Sequence, residues 1–107
     1  MDSSERLRAK TAFERGRYFF KARRYDEALA SLEDAVAQDP TFFRAVVAKA
    51  ITLAMMRRTA EAEAVADELV THNPDYPFAH LAKAEVYLIK GQLGRAREAY
   101  EKALTLD

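Results

Sequence analysis

His72 and His80 are the only imidazoles in the chain, and no cysteine accompanies them. Zinc needs three or four converging ligands, and only Asp75 stands between the two rings, so no metal centre is expected. His72 reads as a surface residue and His80 as a helix-packing one. There is no strand-and-glycine phosphate loop, no Gly-x-Ser-x-Gly, no His-Glu-x-x-His and no carboxylate pair set among apolar residues. The chain is therefore not expected to be an enzyme, to need a cofactor or to bind a small-molecule substrate. What remains is binding chemistry: Lys10, Arg17, Lys21 and Arg44, interleaved with aromatic and aliphatic side chains.

The elements that must position these residues repeat. Ala28, Ala62 and Ala96 are 34 residues apart, as are Pro40 and Pro74, and a period in this range is the signature of a repeat architecture. Asp2 with Glu5 reads as a capping box opening a first helix, along which Leu7, Phe13, Gly16, Phe19 and Phe20 recur as far as Ala22. Tyr25 marks a break, and Ala28, Leu32, Ala35 and Val36 form the stripe of a second helix that stops at Asp39-Pro40. A third helix is expected from about Thr41 to Met56, and a fourth after the break at 57–59, with Thr59 as its N-cap. Pro77 suits the first turn of a fifth helix, Gly91 closes it in the left-handed conformation, and a sixth starts near Gly94 or Arg95. The expectation is an all-α fold of six antiparallel helices forming one array over residues 1–107, with repeats of about 9–42, 43–76 and 77–107.

Composition narrows the function classes. Half the residues are hydrophobic and glycine and proline are scarce, which favours helix and a packed core over disorder. Seventeen basic and seventeen acidic side chains cancel, so no bulk positive field recruits nucleic acid or an anionic membrane. The opening residues lack the apolar stretch of a signal peptide, and no apolar run reaches membrane-spanning length, so a cytoplasmic module is the default expectation.

The repeating residues resemble the tetratricopeptide repeat. Gly16, Phe19, Tyr25, Ala28, Leu32, Ala35 and Pro40 fall on the family's columns in the first unit, with Ala12 where a tryptophan is usual. The second unit keeps Ala50, Leu53, Ala62, Leu69 and Pro74 but has Ala66 where a large residue is common; the third has Ala84, Tyr87, Gly91, Ala96, Tyr100 and Ala103. Arg15, Lys49 and Lys83 stand where leucine is expected, so the resemblance rests on register and on small residues that let paired helices approach. It implies three stacked helix-turn-helix units in a right-handed superhelical solenoid. The first helix of each pair would line a concave groove, and the whole would be a binding scaffold.

Projection of the first helices puts Lys10, Phe13, Arg17, Phe20 and Lys21 on that groove, then Arg44, Val47, Ile51 and Met55, then Phe78, Leu81, Glu85, Leu88 and Ile89. Two readings stand: these side chains hold an apolar peptide or helical segment whose acidic flanks meet Lys10, Arg17 and Arg44, or many of them pack between neighbouring helices. Relatives that grip the acidic tails of chaperones use a carboxylate clamp of lysine, asparagine, asparagine, lysine and arginine. The matching positions here are Phe13, Arg17, Ala48, Phe78 and Ala82, so that clamp is not expected.

Charge is segregated: Asp26, Glu27, Glu33, Asp34, Glu61, Glu63, Asp67 and Glu68 crowd the second helices of the first two units, and cations the first helices. Matching of the helix dipoles accounts for much of this, with Arg23, Arg24, Arg57, Arg58 and Lys90 at C-terminal ends. The last helix leaves Ala99, Ala103, Leu104 and Leu106 for a neighbour, which marks either a chain cut at a repeat boundary or an end covered by another copy. The expected partner is thus a protein or peptide held in the groove, with structural self-assembly into a homo-oligomer as the alternative.

Overall fold

The computed structural model describes residues 2–106, which include six helices; the expected third-repeat bound at Asp107 lies outside them. In order these are α1 (Ser3–Lys21), α2 (Tyr25–Gln38), α3 (Phe43–Met55), α4 (Thr59–His72), α5 (Pro77–Ile89) and α6 (Leu93–Leu106). The Asp2 carboxylate accepts the Glu5 amide at 2.8 Å and starts α1, as the capping pattern predicts. Asp39 accepts both the Thr41 amide at 3.0 Å and its hydroxyl at 2.7 Å, a local turn that holds the chain off helix until Phe43. α3 therefore begins two residues later than predicted.

The turns inside the pairs share one geometry. Arg23, Arg57 and Gly91, one per repeat, all take positive φ, at 62°, 65° and 79°. The residue after each donates its amide five residues back, Arg24 to Phe19, Arg58 to Leu53 and Gln92 to Tyr87, which satisfies carbonyls that the helix end leaves open. Thr59 does not cap α4. Arg58 occupies the N-cap without a side-chain bond to the backbone, and its guanidinium grips both Glu61 oxygens at 2.9 and 2.8 Å instead. α6 begins at Leu93, ahead of the predicted Gly94.

Helices pair as α1 with α2, α3 with α4 and α5 with α6, and successive pairs stack through α2 on α3 and α4 on α5. Small residues make this possible: Ala28, Ala50, Ala62, Ala66 and Ala84 are fully buried at the crossings. At Gly16 an added Cβ would lie 2.7 Å from the Leu32 side chain, so the α1–α2 approach depends on its absence. One cluster around Leu53, Leu69 and Val86 joins the second and third pairs, and another around Phe13, Leu32 and Ala45 joins the first to the second. In the layer of first helices, α3 packs closely on α5 but barely meets α1. Among the described residues no helix is long and apolar enough to cross a membrane.

Candidate functional site

The face formed by α1, α3 and α5 is where the sequence places its binding residues, and the structure sorts them. Phe13 is 4% exposed, packed 4.9 Å from the Phe42 ring, and Val47 is 9% exposed within the central cluster, so both belong to the core rather than to an open surface. Lys10, Arg17, Lys21, Arg44, Met55, Phe78 and Leu88 are exposed, while Phe20, Ile51, Leu81, Glu85 and Ile89 are half-buried. Phe13 still shapes the face from below, because its ring carries two cations: the Arg17 guanidinium carbon lies 5.8 Å and that of Arg44 5.3 Å from its centroid.

The sparse contact of α1 with α3 leaves a pocket between them. Its volume is about 140 Å³, and Gly16, Arg17, Phe20, Leu32, Ala48 and Ile51 line it. Leu32 fills the place that a Cβ on Gly16 would take, the short side chain of Ala48 leaves the space between α1 and α3 open, and Ile51 closes one wall. At the former clamp positions only Arg17 is charged, and Ala82 is fully buried.

At the other end of the layer a wider apolar cleft of about 530 Å³ lies between α5 and α6, lined by Pro77, Phe78, Leu81, Tyr100, Ala103 and Leu104. Leu104 is 74% exposed. Phe78 and Leu81 thus serve both surfaces that sequence reasoning kept apart. Ala99 does not join them, since it is buried and faces the space beside His80 and Tyr87; Leu106 is half-buried. Burial, then the neighbouring Glu85 carboxylate, raises the Tyr100 phenol above its usual range.

Two features escaped the sequence reading. A cleft of about 350 Å³ runs on the opposite side between α2, α3 and α4, with Val36, Phe43, Val46 and Leu69 in its walls. The segregated charges also meet across helices: Arg15 pairs with Asp34 at 3.0 Å, Lys49 with Glu33 at 3.6 Å, and Lys83 with Asp67 at 3.2 Å. The 34-residue period, applied to both members of a pair, is the signal that could have revealed this. Lys90 binds Glu63 in the same sense, and its ammonium holds that carboxyl below the usual carboxylate range. The imidazoles are occupied locally: the His80 Nε2 donates to the Pro74 carbonyl at 2.7 Å, and the His72 Nδ1 to the Glu68 carbonyl at 2.9 Å.

Comparison with known proteins adds relatives to this geometry. Family models described as tetratricopeptide repeat match residues 19–86 and residues 77–107. The chain is 31% identical over 93 residues to the Hsp70-Hsp90 organizing protein of Triticum aestivum, a match spanning 87% of this chain and 16% of that protein. It is 30% identical over 94 residues to the RNA polymerase II-associated protein 3 of Xenopus laevis, spanning 88% of this chain and 14% of that one. The chain thus covers only a small part of the curated relatives it matches. Among solved structures, the first TPR of Spaghetti (RPAP3) bound to the HSP90 peptide SRMEEVD is similar with a TM-score of 0.79 and 25% identity, over 94% of this chain and 80% of that one. The first TPR domain of human RPAP3 shares the fold with a TM-score of 0.82 at 24% identity, over 95% of this chain and 80% of that one.

Proposed function

Because the chain belongs to the tetratricopeptide repeat family, we propose that it is a protein-interaction scaffold that holds an apolar peptide or helical segment on the face of α1, α3 and α5. Its repeats run over about 9–42, 43–76 and 77–107, one array in the cytoplasm. The observation that carries the reading is a row of uncovered or half-covered apolar side chains, Phe20, Ile51, Met55, Leu88 and Ile89, beside the exposed cations Lys10, Arg17 and Arg44. Apolar surface of this extent rimmed by charge is characteristic of a docking face. The solved relative bound to an HSP90 peptide supports a peptide as the partner class. The lysine and asparagine clamp has no counterpart at Phe13, Ala48, Phe78 and Ala82, so the tail of such a peptide is not held in that manner here.

The test is peptide capture by the wild type and by Met55→Glu with Leu88→Glu, followed by fluorescence anisotropy. Lost capture with an unchanged melting temperature is expected, since both side chains are exposed. Unchanged capture would overturn the reading.

A second reading is self-assembly through the α5–α6 cleft, favoured by the 74% exposure of Leu104 beside an apolar cleft of about 530 Å³. Light scattering over a wide concentration range decides it. A dimer that Leu104→Glu dissociates would establish assembly, and a monomer throughout would remove it.

A further inference from the structure

We propose that the α1–α3 end of the face reads a side-chain carboxylate next to an aliphatic side chain, so that its ligand is an internal acidic-apolar segment. The inference deepens the peptide-binding reading and rests on it. Two independent observations coincide at this place. Arg17 and Arg44, from different helices, stand on the one Phe13 ring, and the apolar pocket of about 140 Å³ opens directly beside Arg17.

Charge complementarity identifies the occupant. Among the described residues Arg44 has no carboxylate within ion-pairing distance, and neither have Lys10 and Lys21 of the same face, whereas Lys49 and Lys83, which point to the neighbouring pair, each have one. Arg17 has only Glu14 of its own helix, at 3.5 Å, with both side chains about half exposed. The two guanidinium carbons lie 5.8 and 5.3 Å from one ring centroid, which keeps them within the reach of carboxylates roughly three residues apart on an extended chain. Guanidinium presents paired donors that match a carboxylate, so the uncompensated charge selects Asp or Glu over a phosphate-free neutral segment. Apart from Gly16 and Arg17 the walls are Phe20, Leu32, Ala48 and Ile51, which offer no polar group to a second charge, so the pocket accepts an aliphatic side chain, one of Leu, Ile or Val size. The face continues past the arginines in both directions, to Lys10 on one side and to Met55 and Leu88 on the other, so a chain terminus is not required there. Glu14 acts as an internal stand-in for the ligand carboxylate on Arg17.

The probe is a fluorescein-labelled peptide, Ser-Glu-Glu-Leu-Glu-Gly with an amidated C-terminus, compared with its Gln-for-Glu and Ala-for-Leu counterparts and with its free-acid form. Arg44→Gln should weaken the acidic peptide by up to about fivefold and leave the Gln counterpart unchanged, in a salt-dependent way. Glu14→Gln should tighten the acidic peptide. Ala48→Leu, which fills the pocket, should erase the preference for Leu over Ala while keeping that for Glu over Gln. Thermal melts of each variant confirm folding, and Arg44→Lys, which keeps the charge, should recover part of the loss. Equal binding of the Glu and Gln peptides, or binding of the free acid alone, would overturn this inference and leave the peptide-binding reading standing. Absence of binding by every peptide, acidic or neutral, would overturn both.

Discussion

The ammonium of Lys83 lies 3.2 Å from a carboxylate oxygen of Asp67, sixteen residues earlier on the preceding helix, and Lys49 meets Glu33 across the same step at 3.6 Å. This accounts for cations in the column where the family carries leucine. The aliphatic stem covers the surface that leucine would cover, and the head reaches a carboxylate on the previous pair. Both ion pairs are partly open to solvent, so each contributes no more than about 1 kcal/mol. Lys83→Leu is expected to leave stability within about 1 kcal/mol of wild type, whereas Lys83→Glu, which faces Asp67, lowers it in a manner that salt relieves. Urea unfolding at low and high ionic strength measures both.

Arg23 adopts a φ of 62° that a side chain disfavours, at the turn where the third repeat has Gly91. Arg23→Gly is expected to raise stability by about 1 kcal/mol. Arg57→Gly should gain less, because its guanidinium donates to the Ile89 carbonyl at 3.4 Å. Gly91→Ala should lose about 1 kcal/mol. Thermal unfolding of the three variants side by side checks the ranking, and an equal response to all three would refute it.

Glu63, like the exposed Glu61 beside Arg58, has its carboxyl held below the usual range, and Glu63 is the more covered of the two. Its hydrogen bond from Lys90 depresses the folded-state pKa, against a smaller opposing effect of burial. A depressed carboxyl binds its proton more weakly in the folded chain than in the unfolded one. Its stabilisation is therefore present above the unfolded pKa, about 4.3, and is lost as pH falls through the lower folded value. Glu63→Gln should cost about 1 kcal/mol at neutral pH and flatten the acid limb of the stability curve. A parallel shift of the whole curve would exclude this account.

Val47 and Leu88 share a predicted face but not a fate. Val47→Glu would place a charge in the central cluster and is expected to cost about 3 kcal/mol or more, reducing binding only through unfolding. Leu88→Glu, at a position 44% exposed, should leave the melting temperature nearly unchanged. Melting curves paired with peptide titrations separate the two.

By itself the sequence determined the period, the six helices and the pairing order. Those features are written in interactions a few residues long: the Asp2 cap, the prolines after α2 and α4, the alanines at the crossings and the left-handed Gly91, whereas the same conformation at Arg23 and Arg57 came only with the structure. Where it went astray locally, at Thr59 and at the start of α3, a side chain found another partner, Glu61 for Arg58 and Thr41 for Asp39. Periodicity states which way a side chain points but not how far away the next helix lies. Only the tertiary structure therefore decided that Phe13 and Val47 are covered while Met55 and Leu88 are open, and that Phe78 and Leu81 border the α6 cleft. It also decided that α1 stands off α3 and leaves a pocket beside Arg17, because helix separation is set by the combined volumes of side chains from every helix in the contact.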